Sequence, residues 1–141
     1  MASAQEFERL LDMDDAHLER AVVGAVSGDK RLMAIVMPQT IPPMSIDDYL
    51  RNTSFGDVRN SVLEYIRRDF ETTQNDLYEL ICVKLNYCEA KRSRADLIAL
   101  LGTVVTHYVA LAVVAFPHCW ILAPAVAYLS KKYLDKLCKC K

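Results

Sequence analysis

From Leu97 to Ser130 the chain contains no Asp, Glu, Lys, Arg, Asn or Gln. A helical segment of that length and polarity has two stable destinations: a bilayer, or the interior of a bundle whose other helices cover it. Leu97 to Phe116 averages roughly +2 in hydropathy, a level that marks transmembrane candidates. Phe116-Pro117-His118-Cys119 interrupts the run, since proline removes a backbone donor and clashes with the preceding helical turn. What remains is too long for one straight span and too short for two, so either destination implies a helical hairpin over residues 93–129. Residues 130–141, SKKYLDKLCKCK, then form an amphipathic or frayed basic tail.

Charge is arranged around this segment. The 141 residues are nearly neutral at −1, but residues 1–90 hold 16 acids against 9 bases and residues 91–141 hold 2 acids against 8 bases. Lys91, Arg92 and Arg94 precede the uncharged run, and Lys131, Lys132, Lys136, Lys139 and Lys141 follow it. In a bilayer the positive-inside rule keeps both flanks cytoplasmic, and anionic headgroups add about 1 kcal/mol per cation. In a soluble bundle the same segment is the central hairpin, apolar all round because the upstream helices wrap it. Gly102, Thr106 and Ala110 offer a small-residue face for another helix. Membrane association and a homo-oligomer therefore stay open as alternatives. Bases are not interleaved with aromatics on one face, so no nucleic-acid partner is expected.

Upstream, helical spacing dominates. Phe7, Leu10, Leu11, Leu18, Val22, Val23 and Val26 predict two short helices between Ala4 and Ser27, with Asp14 and Asp15 suited to a first turn and Gly28 to a C-cap. Leu32 to Met37 precedes Pro38, Pro42 and Pro43 and reads as a helix end or an extended packed segment. Ser45 opens a short helix to about Arg51. Val58, Val62, Ile66 and Phe70 predict a cleaner one, with Glu64, Arg67, Arg68 and Asp69 outside its stripe. Leu77, Leu80, Ile81, Leu85 and Cys88 mark another from Asn75 to about Ala90. Ser93 to Asp96 has capping-box spacing and starts a helix to about Ala115. The expected fold is one all-α domain over 1–141, a bundle of about seven helices around the apolar hairpin.

Chemistry-bearing patterns are few. No GxGxxG, P-loop, GxSxG, HExxH or EF-hand pattern occurs, so no catalytic residue, cofactor or metal is assigned. Five cysteines, an odd number, follow an N-terminus without the basic and apolar regions of a secretory signal. This leads to an intracellular, reducing setting in which disulfides are not expected and Cys82 and Cys88 act as small apolar residues. His118-Cys119 with Cys138-Lys139-Cys140 lacks the spacing of a structural zinc site.

Three places resemble a known family. Ser93 to Leu101, SRADLIALL, resembles the first homology region of the B-cell lymphoma two family of apoptosis regulators; Trp120-Ile121 after a proline-containing break resembles the second; Val58 to Phe70, VRNSVLEYIRRDF, resembles the helix carrying the third. Arg94-Ala95-Asp96 stands where the family has Trp-Gly-Arg, so an acid replaces the cation that pairs with a ligand's Asp. Val62-Leu63 stands where it has Gly-Asp. The chain resembles the family's shorter, anchorless members. The resemblance implies a non-enzymatic protein, cytoplasmic or on mitochondrial or other membranes, that binds the amphipathic helix of a pro-death partner in an apolar groove. Tyr65, Phe70, Leu77, Leu80, Ile81 and Leu101 are the candidates for lining it. A membrane-associating hairpin with an acidic helical recruiting module is the alternative.

Overall fold

Side-chain caps set most of the helix starts. Ser3, Asp14, Asp29, Ser45, Ser54 and Ser93 leave extended backbone and accept a hydrogen bond from an N–H of the following turn. Each satisfies a donor that a helix start leaves orphaned. They open α1 (Ala4–Asp12), α2 (Asp15–Ser27), α3 (Lys30–Val36), α4 (Ile46–Asn52), α5 (Phe55–Leu77) and α7 (Arg94–Leu111), with α6 (Tyr87–Ala90) before α7. The last helix, α8 (Ala123–Leu129), follows a 3-10 turn, Cys119–Ile121. Two helices run on in π geometry: α5 through Tyr78–Lys84, and α8 through Ser130–Leu134 into a final turn, Asp135–Cys138. The computed structural model describes residues 3–40, 42–115 and 117–140, and among these the fold is all-α with no strand. Phe116, part of the expected break, and Lys141, part of the basic flank, lie outside the described residues.

The core is built around α8. Ala125, Val126, Ala127 and Leu129 are fully buried, packed by α1, α2 and α7. Alanines at 123, 125 and 127 keep this helix thin enough for three neighbours to approach. α7 adds Ile98, Leu100, Leu101, Val104, Val105 and Tyr108 to the same core, but Ala99, Thr103, Thr106 and Ala110 on its other side are exposed. The hairpin is thus not covered all round: α8 is central and α7 lies at the surface. Thr103 and Thr106 donate to the carbonyls of Ala99 and Gly102 four residues back, so their hydroxyls are satisfied within the helix.

Four boundaries differ from the sequence-based expectation. Leu32 to Val36 belongs to a whole short helix rather than to a helix end or an extended segment: Asp29 caps α3, which buries Leu32 and Met33, and only Met37, before the proline, is extended. The helices expected at Val58–Phe70 and Asn75–Ala90 are one continuous rod until Asn86, whose left-handed backbone (φ 51°) stops it; few residues tolerate that conformation and asparagine is one. α7 ends at Leu111 rather than Ala115, with 112–114 in turns. The tail is not frayed, because the end of α8 returns along the π segment of α5 and along α6.

That return corrects the reading of the cysteines. Cys82 is bonded to Cys138 and Cys88 to Cys140, with Cα–Cα distances of 5.1 and 5.3 Å inside the range disulfides require. The odd thiol is Cys119, buried and free.

Candidate functional site

The apolar stripe of α5 does not end at Phe70. Val62 and Ile66 continue at helical spacing into Asp69 and Thr73, which are only 6% and 4% exposed, so Asp69 belongs to the inner face and not outside it. Its carboxylate is occupied by the loop before α8. Nδ1 of His118 lies 2.6 Å from Asp69 Oδ1, and the Cys119 N–H donates to Oδ2 at 2.9 Å. One turn on, Thr73 donates to the Asp69 carbonyl at 2.6 Å and accepts from Trp120 Nε1 at 3.0 Å. Three consecutive residues, 118–120, are therefore clamped to one face of α5, with the Trp120 ring fully buried. The edge of Tyr108 meets His118 at 5.9 Å between centroids.

This cluster is built to hold rather than to react. Burial, then the negative charge of Asp69, pushes the Cys119 thiol well up, which removes the thiolate a nucleophile needs. Burial, followed by the charges of Cys119 and Asp69, likewise pushes up the Tyr65 phenol. The buried Tyr108 hydroxyl has no hydrogen-bond partner among the described residues; burial and the facing Asp76 and Asp69 carboxylates push its phenol up.

Two surface clefts lie along α5 and its continuation, the first of them touching the cluster. One, of about 310 Å³, runs between α3 and α5 and is lined by Ile35, Val36, Tyr65, Arg68 and Asp69 among others. The other, of about 360 Å³, lies between the π segment of α5 and the end of α7. Leu80 and Leu111 supply its apolar surface, and Asp76, Glu79, Lys84 and His107 complete it.

The six groove candidates do not form one surface. Leu77, Ile81 and Leu101 are fully buried in the chain's own core, so an outside helix cannot reach them without opening the bundle. Phe70 stacks on Tyr133 with ring centroids 4.5 Å apart. Tyr65 lines the α3–α5 cleft, and Leu80 alone reaches the cleft beside α7. Leu111, its partner there, was missed, although an i+4 step from His107 on an uncharged helix carries the signal.

At the positions that carry the sequence resemblance, Arg94 is already engaged inside the chain, in contact with Asp12 and 3.6 Å from Glu8 on α1. Ala95 and Asp96 are exposed; the Asp96 N–H donates to the Ser93 cap at 3.3 Å. Trp120 is a core anchor and Ile121 is half-buried. Cys138 and Cys140 have both sulfurs in disulfides.

No protein-family model matches this sequence, and comparisons with curated proteins and with solved structures find no match.

Proposed function

We propose that this chain is a non-enzymatic helical module that captures the amphipathic helix of a partner protein, with the helices of pro-death proteins as the first class of ligand. The observation that carries the reading is the cleft of about 360 Å³ between the π segment of α5 and α7. It lies between the continuation of the helix that resembles the family's third homology region and the helix that resembles its first. Leu111 is 39% exposed and Leu80 is half-buried, so apolar anchors spaced along a helix have surface left to cover. Completing the burial of both is worth about 1 to 2 kcal/mol.

The rim gives the partner its charge. Asp76 and Glu79 face the cleft against one lysine, Lys84, while Arg94 is held by α1 acids. The favoured ligand is then a helix with a cation beside its apolar stripe, the reverse of the acid that the resembled family recognises. Titration of the folded protein with peptides from pro-death partners, each in native and charge-reversed form, tests this. Binding is expected from a narrow subset, weakened about tenfold or more by Leu111→Asp, which places a carboxylate against an apolar anchor. Absence of binding by every peptide would refute the groove, and preference for the acidic forms would refute the rim argument.

A second reading, membrane association, draws on the turn after α7, where Val113 and Val114 are 82% and 83% exposed within the uncharged stretch. Two adjacent valines at a protruding turn suit shallow insertion into the headgroup boundary. Flotation with anionic vesicles, compared with a Val113→Asp and Val114→Asp double variant, separates this reading from the groove.

A further inference from the structure

One wall of the cleft is an unusual piece of helix, and both disulfides are attached to it or just beyond it. The π segment runs Tyr78–Lys84, long for a geometry that occurs mostly as single turns, frequently at functional sites. Its last turn is closed by the Leu85 N–H donating to the Leu80 carbonyl at 2.9 Å; in an α register that carbonyl takes the N–H of residue 84 instead. Cys82 within the segment is bonded to Cys138, and Cys88 in α6 is bonded to Cys140. The tail also has non-covalent anchors: at its start Lys131 and Lys132 reach the Met13 carbonyl and Asp15 and Tyr133 stacks on Phe70, while beside the π segment Leu134 and Leu137 are buried and Asp135 accepts from the Tyr87 hydroxyl and the Lys91 ammonium, both at 3.0 Å.

We infer that these two disulfides gate the groove: oxidised, they pin the π register that shapes its wall; reduced, they release it. The biological meaning rests on the groove reading above, but the gate is a property of the wall and is testable without a ligand. The reductant is a dithiol. One of its thiolates attacks a sulfur of Cys82–Cys138, forming a mixed disulfide and expelling the other sulfur, which takes up a proton. The second reductant sulfur displaces the bound cysteine, which is protonated in turn; the dithiol leaves as a cyclic disulfide, having supplied two electrons. Cys88–Cys140 is reduced in the same way. Once Cys82 is free, the segment interconverts between π and α registers through an opened turn, and each one-residue return toward α register turns the residues beyond it by about 100°. Lys84, which lines the cleft, moves with them. The disulfide-bonded state is then competent for capture, and the reduced state, the one expected from the sequence, is incompetent.

Hydrogen exchange on the full chain decides it. Oxidised protein is compared with protein reduced by dithiothreitol, all five cysteines confirmed as thiols, and with a Cys138→Ser and Cys140→Ser double variant. The expected result is exchange at 81–85 faster by about tenfold or more on reduction, with α2 unchanged. Unchanged protection at 81–85 overturns the gate. So does loss of protection throughout, since the bonds are then general staples. If the double variant does not fold, Cys140→Ser, which keeps Cys82–Cys138, is expected to retain protection at 81–85. A leucine–lysine amphipathic peptide is titrated in parallel. Failure of this peptide and of the whole pro-death set to bind either form refutes the groove reading and leaves the exchange result to decide the gate by itself.

Discussion

Asp69→Ala is the sharpest test of how this bundle is closed. The substitution leaves the buried Cys119 N–H without its acceptor at 2.9 Å, an unsatisfied donor worth about 1 to 3 kcal/mol. It also removes the carboxylate from His118. The His118 side chain is 34% exposed, so water replaces part of that bond and the added loss is only about 1 kcal/mol. The total, about 2 to 4 kcal/mol, corresponds to a fall in Tm of about 6 to 12 °C for a chain of this size. Asp69→Asn keeps an acceptor for Cys119 and is expected to cost about 1 kcal/mol. Urea unfolding of the oxidised protein measures both. Trp120 is the only tryptophan and hangs from Thr73 one turn along, so its fluorescence reports on this site directly. Emission shifted to the red in Asp69→Ala at zero denaturant is expected as the 118–120 loop loosens. A variant within about 0.5 kcal/mol of the parent, with unshifted emission, would refute the claim that Asp69 holds the loop.

Two further expectations concern the tail and the tyrosines. The disulfides span sequence separations of 56 and 52, so either one alone constrains the unfolded chain by about 4 kcal/mol, while the second, added to the first, closes a ring of only about eight residues and contributes about 2 to 3 kcal/mol. Removing one pair should therefore cost less than half of what removing both costs in urea; equal, additive losses would contradict that linkage. Tyr65, Tyr87, Tyr108 and Tyr128 are all pushed up, chiefly by burial, with Tyr87 at about 12. Because the folded state raises these groups, their contribution is fully present below about pH 10 and is lost as pH rises through the folded values. Absorbance titration should show these four of the seven tyrosines ionising late and together with loss of helix. A single transition near pH 10 in folded protein would contradict it.

What the sequence discloses depends on how far apart the partners sit. Gly28, Ser45 and Ser93 act on neighbours within a turn and are legible as helix ends, while Asp14, which reads as a first-turn acid, is the cap one residue earlier. α3 is a near miss of the same kind. The prolines downstream of Met37 outweigh Asp29, whose carboxylate caps Arg31 and Leu32, yet Pro38 only bars helix at the residue before it. Asp69 differs. Its spacing from Val62 and Ile66 places it on the inner stripe, but a buried carboxylate is costly without partners, and the partners stand 49 and 50 residues away. Periodicity contains the position; nothing local contains the reason it is tolerated. The disulfides are hidden for the same cause, since the tail reaches Cys82 and Cys88 only after the whole bundle has formed. The π segment is hidden because its residues Leu80 and Ile81, with Leu85 just after it, read equally well at α spacing.

The uncharged stretch from Leu97 to Ser130 has two physical meanings, and burial separates them. In α8 every charge is forbidden: three helices pack on it, and an ion there would lie far from water without a partner. In α7 that prohibition applies to one face, through Leu101, Val104 and Val105. The other face, Ala99, Thr103 and Ala110, meets solvent, and the bundle itself sets no demand there for apolar or uncharged residues. Its threonines return their hydroxyls to their own helix, so the face offers few hydrogen-bonding groups and little steric bulk to an approaching helix. A mean hydropathy over both helices merges the buried helix with the half-exposed one. Their separation explains why the open cleft falls along α7, at Leu111 and His107, and why it leaves α8 sealed.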